Sequence, residues 1–266
     1  MKYASALITG ASGGIGYEFA RLLAADCEAL VLVARNTEKL DTVKRELEKG
    51  FPARIITITR DLAASGAAEA IHRELAQRQI LPDILINNAG FGDNGLFVDS
   101  DLEKDTAMLQ VNVVALTQLT RLFAADMASR GRGMILNVAS TAAFQPGPYM
   151  AVYYASKAYV LSFSEALAYE LKGTGVTVTT LCPGPTATDF AKTASAERSR
   201  LFRIAKPASA AAVARTGYDA MKKGKMTVIH GLLNGITAFS VRTAPRKLMP
   251  MILGWLHQRG RRENYS

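Results

Sequence analysis

The run Thr9-Gly10-Ala11-Ser12-Gly13-Gly14-Ile15-Gly16 decides the fold of this chain. It follows an apolar segment at residues 4–9 and precedes a segment with helical spacing at residues 15–25. Glycines allow a tight turn and a close approach of a pyrophosphate to the backbone, and a helix N-terminus offers free N–H groups and a positive dipole. A glycine-rich loop between a first strand and a first helix therefore predicts a dinucleotide-binding site.

Short apolar segments alternate with helical segments along the rest of the chain. The strand-like segments are rich in Val, Ile, Leu and Thr and cover residues 4–9, 29–34, 54–59, 84–87, 134–139, 176–181 and 226–230. Helical spacing lies between them, at residues 15–25, 38–49, 67–79, 101–129 and 149–171. Near-continuous apolar strands separated by helices are typical of a parallel sheet covered on both faces. The pattern predicts an α/β fold, a doubly wound parallel sheet of about seven strands.

The composition is that of one globular domain. The chain has 266 residues, is 49% hydrophobic and 21% charged, and has no linker or repeat, so we expect one domain over residues 1–266. Cys27 and Cys182 are too few for a disulfide framework, lie in apolar contexts and lack metal-ligand spacing, which indicates buried free thiols and no metal site. No apolar run reaches the ~18 residues of a membrane span, and cleavage of a signal peptide would disrupt the glycine loop. We therefore expect a cytoplasmic protein.

Tyr153 and Lys157 form a second informative pattern. Residues four apart share a helix face, so the phenol and the ammonium can address one small volume. A nearby ammonium favours the phenolate and lowers the pKa of a tyrosine, which makes it competent as an acid or base. Such a pair occurs on many helices by chance, so the surrounding motifs decide its meaning.

The combined motifs closely resemble the short-chain dehydrogenase/reductase family. They are the Thr-Gly-x-x-x-Gly-x-Gly spacing, the run Asn87-Asn88-Ala89-Gly90 after the fourth strand, and Tyr153 with Lys157, and the resemblance extends to about residue 230. It implies a catalytic tetrad of Asn112, Ser140, Tyr153 and Lys157. Tyr153 would exchange a proton with the substrate oxygen, which Ser140 would also hydrogen-bond. Lys157 would hold the nicotinamide ribose and lower the pKa of Tyr153, and Asn112 would position a water.

The resemblance also implies the residues that bind the nicotinamide cofactor. They are Gly10, Ser12, Gly13, Gly14, Ile15, Gly16, Arg35, Asp61, Leu62, Asn88, Ala89, Gly90, Tyr153, Lys157, Pro183, Gly184, Thr186 and Thr188. An NAD-preferring site usually has Asp or Glu after the second strand, where this chain has Ala34, Arg35 and Asn36. Arg35, with Lys39 nearby, can pair with a 2′-phosphate. We therefore expect NADP(H), with reduction as the usual direction.

Neighbouring side chains compete for these roles. Tyr154 is three positions from Lys157, and its ring points about 100° away from that of Tyr153 on a helix. Ser156, Ser162 and Ser164 are predicted to lie on a helix surface or interface, and Asn87 is expected to stabilise the central strand.

Three segments are expected to line the substrate pocket: residues 91–96, 141–150 and a lid at 186–207. Phe91, Phe144, Met150 and Phe190 indicate an apolar pocket, which favours a lipophilic ketone or a 3-oxoacyl compound. The lid carries Lys192, Arg198, Arg200, Arg203 and Lys206. These basic residues either form a solvated helix face, the favoured interpretation, or receive a phosphorylated or carrier-linked acyl substrate.

Residues 231–266 form a C-terminal extension beyond the shorter family members. Its apolar part, residues 248–256, is flanked by Arg242, Arg246, Lys247, Arg259, Arg261 and Arg262, and Pro245 and Pro250 argue against one long helix. Packing or oligomerisation, as a homodimer or homotetramer, is favoured over peripheral membrane contact through this basic segment. The formal net charge is +9, but no nucleic-acid-binding motif accompanies it, so no nucleic-acid partner is expected.

These patterns favour an NADP(H)-dependent oxidoreductase that transfers a hydride between nicotinamide and a carbonyl or secondary alcohol, with Tyr153 as acid and base. The alternative is a non-catalytic NADP-binding regulatory or scaffold protein. All four residues of the tetrad are present, namely Asn112, Ser140, Tyr153 and Lys157. Their presence argues against that alternative, because a non-catalytic protein has no need for all four.

Overall fold

A seven-stranded sheet organises the residues that the computed structural model describes, namely 2–196, 199–200, 204, 206–241, 245 and 247–258. In chain order the strands are β1 (Tyr3–Thr9), β2 (Cys27–Ala34), β3 (Arg54–Thr59), β4 (Ile84–Asn87), β5 (Gly133–Val138), β6 (Val176–Cys182), β7 (Thr186–Ala187), β8 (Ala208–Ser209) and β9 (Thr227–Ile229). The sheet has the order β3-β2-β1-β4-β5-β6-β9 with every pair parallel, while β7 and β8 form a separate short pair. The predicted doubly wound parallel sheet of seven strands is confirmed.

Helices cover both faces of the sheet. They are α1 (Gly14–Ala24), α2 (Thr37–Gly50), α3 (Ala67–Gln77), α4 (Leu102–Leu109), α5 (Leu116–Ser129), α6 (Ala151–Glu170), α7 (Phe190–Thr193), α8 (Ala210–Lys222), α9 (Leu232–Ser240) and α10 (Leu248–His257). One core packs α1, α2 and α8 on the sheet through side chains such as Phe19 and Tyr218. The other packs α3 and α5 on the opposite face through Ile71 and Phe123. Cys27 and Cys182 are buried free thiols, as predicted.

The order of the strands sets the position of the binding cleft. The chain winds outward from β1 to β3 on one side and from β4 to β9 on the other, so the winding direction reverses between β1 and β4. In open α/β sheets, ligands bind outside the carboxyl ends of the strands at such a reversal. The glycine loop after β1 and residues 88–91 after β4 flank this point.

The helix predicted over residues 101–129 is interrupted. Asp101 caps α4, since its Oδ1 accepts hydrogen bonds from the N–H groups of Glu103 (2.9 Å) and Lys104 (3.3 Å). A π-turn then occupies Gln110–Ala115 before α5 begins. A π-turn adds a residue to the helical repeat and re-aims the side chains that it carries, and such turns are frequent at functional sites. This one carries Asn112.

The C-terminal extension contains two helices, α9 and α10, in its described part. Pro250 lies in the first turn of α10, where its missing N–H breaks no intrahelical hydrogen bond. The apolar segment at residues 248–256 is thus helical throughout, and the expectation that the extension is not one long helix holds because α9 ends at Ser240, before α10 begins. Arg242, Arg246, Arg259, Arg261 and Arg262 lie outside the described residues. None of the helices in the described ranges is long and apolar enough to cross a membrane.

Candidate active site

A cleft opens at the carboxyl edge of the sheet, at the winding reversal between β1 and β4. Fifteen of the predicted site residues line it: Gly10, Ser12, Gly13, Gly14, Ile15, Asn88, Ala89, Gly90, Ser140, Tyr153, Lys157, Pro183, Gly184, Thr186 and Thr188. Tyr154, Phe190 and His257 extend the wall on the side away from the glycine loop. Five predicted site residues do not line the cleft: Gly16, Arg35, Asp61, Leu62 and Asn112. Their contacts are described below.

The glycine loop is held against the 88–91 loop by Thr9 and Asn88. Thr9 Oγ1 accepts hydrogen bonds from the N–H groups of Asn88 and Ala89, both at 3.0 Å, and Asn88 Nδ2 donates to the carbonyls of Thr9 (3.0 Å) and Gly10 (3.1 Å). A Cβ at Gly16 would lie 2.3 Å from the Gly10 carbonyl oxygen. Gly16 therefore allows α1 to pack closely on the loop. Thr9 belongs to the Thr-Gly-x-x-x-Gly-x-Gly motif, but it was not among the predicted site residues.

The start of α1 fits a dinucleotide phosphate. Gly13 is the N-cap residue, and it makes no side-chain capping bond, while the first turn of the helix has no acidic residue. The free N–H groups of such a turn point at an anion and carry the positive end of the helix dipole. A Cβ at Gly14, whose φ is 54°, would lie 2.9 Å from Thr188 Cγ2 across the cleft. Both glycines thus leave room that side chains would fill.

Tyr153, Ser140 and Lys157 converge on one part of the cleft. Tyr153 and Lys157 project from the same face of α6, and Lys157 Nζ lies 5.9 Å from the centre of the Tyr153 ring. The Ser140 hydroxyl lies near enough to the Tyr153 phenol to lower its pKa, and it donates to the Pro183 carbonyl at 3.4 Å. Lys157 Nζ donates to the Val138 carbonyl at 2.8 Å, which fixes the ammonium at the end of β5. The side chains of Ser140, Tyr153 and Lys157 therefore lie together in the cleft, as the spacing and the resemblance predicted.

Burial sets the acid–base properties of this group. Burial raises the pKa of Tyr153 to about 12, although the hydrogen bond from Ser140 acts in the opposite direction. Burial lowers the pKa of Lys157 to about 8, and the nearby Cys182 thiol acts to raise it. The pKa of Tyr153 therefore lies above its ordinary value, because the withdrawal of the phenol from water outweighs the groups that favour its ionised form.

Asn112 lies behind the cleft rather than in it. Its Nδ2 donates to the Phe91 carbonyl (2.9 Å) and to Ser156 Oγ (3.0 Å), and its Oδ1 accepts from the Phe91 N–H (3.1 Å). Ser156 Oγ in turn donates to the Tyr153 carbonyl at 2.7 Å. Asn112 thus ties the 90–91 loop to the helix that carries Tyr153. Ser156 is buried, so its predicted place on a helix surface is wrong.

A buried chain of polar side chains stabilises the central strands. Asn87 Nδ2 donates to Thr120 Oγ1 and to Asn137 Oδ1, both at 2.9 Å. Asn137 Nδ2 then donates to Ser164 Oγ at 2.9 Å. The structural role expected of Asn87 is confirmed, whereas Ser164 is buried in this chain instead of lying on the helix surface. Ser162 is exposed, as predicted.

The outer edge of the cleft is basic on one side. Lys39 lines the cleft, and its Nζ lies 3.9 Å from Asp189 Oδ2 on the opposite wall. Arg35 is exposed beside it, and Asn36 caps α2 through an Oδ1 that accepts from the Lys39 N–H at 2.8 Å. Asp61 is exposed and accepts from the Ala63 N–H at 2.9 Å, while Leu62 is buried in the core. Lys39 was predicted only to assist Arg35, but Lys39 lines this edge of the cleft and Arg35 does not.

The substrate side of the cleft is apolar. Phe91, Met150 and Phe190 line it, and the Phe190 and Tyr153 ring centres are 5.2 Å apart. Phe144 was expected here too, but it packs instead against the core formed by residues such as Ala139 and Val160. Of the predicted basic lid residues, Lys192, Arg200 and Lys206 are described, whereas Arg198 and Arg203 lie outside the described residues.

The last helix closes this apolar side through His257. Its Nε2 lies 2.5 Å from the Tyr154 hydroxyl, and its carbonyl accepts from Asn94 Nδ2 at 3.4 Å. Burial raises the pKa of Tyr154 and lowers that of His257 to about 4, so a neutral imidazole faces a protonated phenol. The sequence carried no signal for this pair, because the two residues are 103 positions apart. Helix α10 of the C-terminal extension therefore packs against the cleft.

Comparison with known proteins matches this architecture. The family model described as short chain dehydrogenase matches residues 4–199. Ketoacyl reductase HetN of Nostoc sp. is 36% identical over 179 residues, which cover 67% of this chain and 62% of that protein. Very-long-chain 3-oxoacyl-CoA reductase-B of Danio rerio is 34% identical over 194 residues, which cover 70% of this chain and 61% of that protein. The matched part thus spans about three fifths of the length of these two relatives.

Solved structures agree over more of the chain. A short-chain dehydrogenase from Sphingobium yanoikuyae in complex with NADPH is 28% identical with a TM-score of 0.80, covering 92% of this chain and 95% of that one. A short-chain dehydrogenase/reductase from Burkholderia phymatum in complex with NAD is 25% identical with a TM-score of 0.79, covering 90% of this chain and 92% of that one. The similar solved structures therefore include one complex with NADPH and one with NAD.

Proposed function

The chain belongs to the short-chain dehydrogenase/reductase family of oxidoreductases, and from this membership we propose that it is an NADPH-dependent reductase of lipophilic ketones of the 3-oxoacyl class. The observation that carries the proposal is the meeting of Ser140, Tyr153 and Lys157 beside an apolar wall formed by Phe91, Met150 and Phe190. The names of the two ketoacyl reductase relatives support the same substrate class.

The catalytic roles follow from the hydroxyl groups at the cleft. When bound, the nicotinamide supplies a hydride to the carbonyl carbon of the substrate. Tyr153 donates its phenolic proton to the carbonyl oxygen, so that a ketone becomes a secondary alcohol. Ser140 hydrogen-bonds the same oxygen and then the phenolate, and Lys157 stabilises that phenolate by its charge. A phenol with a pKa of about 12 holds its proton until the oxygen becomes basic, which suits reduction.

Cofactor choice is proposed from charge at the cleft edge. The residues after β2 are Ala34, Arg35 and Asn36, so no carboxylate is available there to accept from the ribose hydroxyls of NAD. Arg35 and Lys39 supply two cations for a 2′-phosphate, and guanidinium and ammonium groups bind phosphate by charge-assisted hydrogen bonds. NADPH is therefore the proposed cofactor.

A homo-oligomer is proposed through the outer faces of α4, the π-turn at Gln110–Ala115 and α6. Leu109, Val114 and Tyr159 are large side chains that are exposed on these neighbouring elements. Packing of the same faces of two copies would bury them. Light scattering of the purified chain tests this proposal, and a monomer at micromolar concentration would contradict it.

Turnover by a Tyr153→Phe variant tests the function. NADPH oxidation is measured with 3-oxoacyl thioesters, bulky ketones and aldehydes, and cofactor binding is measured separately by fluorescence. We expect activity with the first two classes, and in the variant a loss of turnover with NADPH binding retained. Near-normal activity in the variant would contradict the mechanism. Tight NADPH binding by the wild type without turnover of any compound would support the scaffold alternative.

A further inference from the structure

Helix α9 presents its apolar face outward. Leu232, Leu233, Ile236 and Phe239 are between 57% and 82% exposed and share one side of the helix. The opposite side holds Ala238, which is buried, and the helix contains no charged residue. A surface helix of a globular protein has the reverse arrangement, with its apolar stripe on the core and its charges in water. The face of α9 is therefore built for an apolar environment outside the chain.

Helix α10 repeats this arrangement while forming part of the active site. Leu248, Met251, Ile252 and Trp255 are between 43% and 71% exposed, at the spacing of a single stripe. Leu253 and His257 on the other side are buried against the cleft, where Leu253 packs in the same cluster as Met150 and Tyr153. Arg200 of the lid donates to the Trp255 carbonyl at 3.2 Å and lies over its ring. One helix thus joins the substrate site to the exposed apolar surface.

The charge of the chain is concentrated around these two helices. Residues 220–262 contain nine lysines and arginines and no aspartate or glutamate. This number equals the formal net charge of the whole chain, +9, so the remaining residues are close to neutral together. The basic residues lie before, between and after α9 and α10 in the sequence, and none lies within either helix.

We propose that the outward faces of α9 and α10 dock on an anionic membrane surface. Uncharged helices with an outward apolar stripe and flanking lysines and arginines suit the interface between headgroups and acyl chains, where tryptophan is also enriched. A second copy of the chain fits this surface poorly, because it would bring two strongly basic segments together. The inference does not rest on the proposed reaction, since it concerns the face of α10 that points away from the cleft.

Membrane docking would give the substrate site a direct source of lipophilic compounds. The inner side of α10 forms the wall beside Tyr154, and its outer side would lie among lipid headgroups. An amphipathic acyl substrate could then pass from the bilayer to the cleft around this helix without crossing water. The proposed substrate class and the proposed surface are thus compatible while remaining separately testable.

Vesicle flotation of the full chain tests the proposal without any substrate. The probes are vesicles of phosphatidylcholine alone and of phosphatidylcholine mixed with phosphatidylglycerol. We expect binding to the mixed vesicles that weakens as salt is added, and at least about tenfold weaker binding for Ile236→Glu/Phe239→Glu and for Met251→Glu. Leu81→Glu is the matched control, because Leu81 is exposed before the amino end of β4, at the edge of the sheet opposite to the cleft, and it should bind like the wild type.

Three results would overturn the proposal. They are absence of binding to the mixed vesicles, equal binding to both vesicle types, and wild-type binding by the Ile236→Glu/Phe239→Glu variant. Light scattering tests whether a second copy of the chain covers this surface instead. A wild-type dimer that becomes a monomer in the Ile236→Glu/Phe239→Glu variant would assign the surface to a second copy. Circular dichroism shows that each variant is folded, which is expected because the substituted side chains are exposed.

Discussion

The Tyr154 hydroxyl and His257 Nε2 lie 2.5 Å apart and join the helix that carries Tyr153 to the last helix of the described chain. Tyr149 strengthens this connection, since its hydroxyl accepts from Gln258 Nε2 at 3.2 Å. Tyr154 and His257 are both buried, and both line the cleft. The pair therefore makes the C-terminal extension part of the active site.

Removing either partner of this pair should cost stability. Tyr154→Phe leaves a buried imidazole nitrogen without its partner, at a cost of about 1–3 kcal/mol. His257→Leu leaves the Tyr154 hydroxyl unpaired in the same way. The double variant should lose less than the sum of the two, because neither partner is then left unsatisfied. Urea unfolding of the four proteins measures this coupling, and additive losses would show that the contact contributes nothing.

Stability should depend on His257 in mild acid. The pKa of His257 is lowered from 6.5 to about 4 in the folded protein, so between these values the unfolded chain binds more protons. The free energy of unfolding should then fall as the pH is lowered from 6.5 towards 4. We expect His257→Gln to lose this contribution, which the difference between the wild-type and variant profiles would show. Parallel profiles in this window would contradict the buried neutral imidazole.

Cofactor preference should respond to charge at Arg35 and Lys39. Removing one charge-assisted hydrogen bond to a phosphate costs about 1.5–3 kcal/mol, or roughly 10- to 100-fold in affinity. We expect Arg35→Asp to shift the preference towards NADH and Lys39→Glu to weaken NADPH binding. Lys49→Glu makes the same change of charge at the far end of α2 and is the control. An NADPH/NADH ratio that neither Arg35→Asp nor Lys39→Glu changes would show that another group reads the phosphate.

A methyl group at Gly90 should displace Lys157, for which a catalytic role is proposed. A Cβ there would lie 2.9 Å from Asn112 Oδ1 and 3.3 Å from Lys157 Nζ, so both groups must move. Small displacements of catalytic groups reduce rates by up to about 100-fold, and we expect Gly90→Ala to lower kcat on this scale. Gly95→Ala is the matched control, because its Cβ would meet nothing within 4 Å. Equal kcat values for the two variants would refute this account of Gly90.

Much of the fold and the core of the site could be predicted from local patterns. All seven strands of the sheet begin and end within two residues of the prediction, because apolar runs and intervening helices mark a buried parallel sheet. Ser140, Tyr153 and Lys157 were identified from spacing and resemblance. The π-turn at Gln110–Ala115 was not predicted, because its local sequence is that of an ordinary helix. Contacts of Asn112 with Phe91 and Ser156, which are distant in the sequence, stabilise this turn.

Burial decided what spacing could not. The sequence places an ammonium four residues from a phenol, but the pKa of each depends on how far both are withdrawn from water, which only the packed chain determines. The same holds for the extension: its apolar and basic residues are visible in the sequence, whereas their division into an inner face with Leu253 and His257 and an outer face with Met251 and Trp255 arises from packing on α6. The sequence by itself determined the sheet, the glycine loop and the chemical groups at the cleft. The tertiary structure decided which of those groups meet, because contacts between residues as far apart as Tyr154 and His257 form only when the whole chain packs.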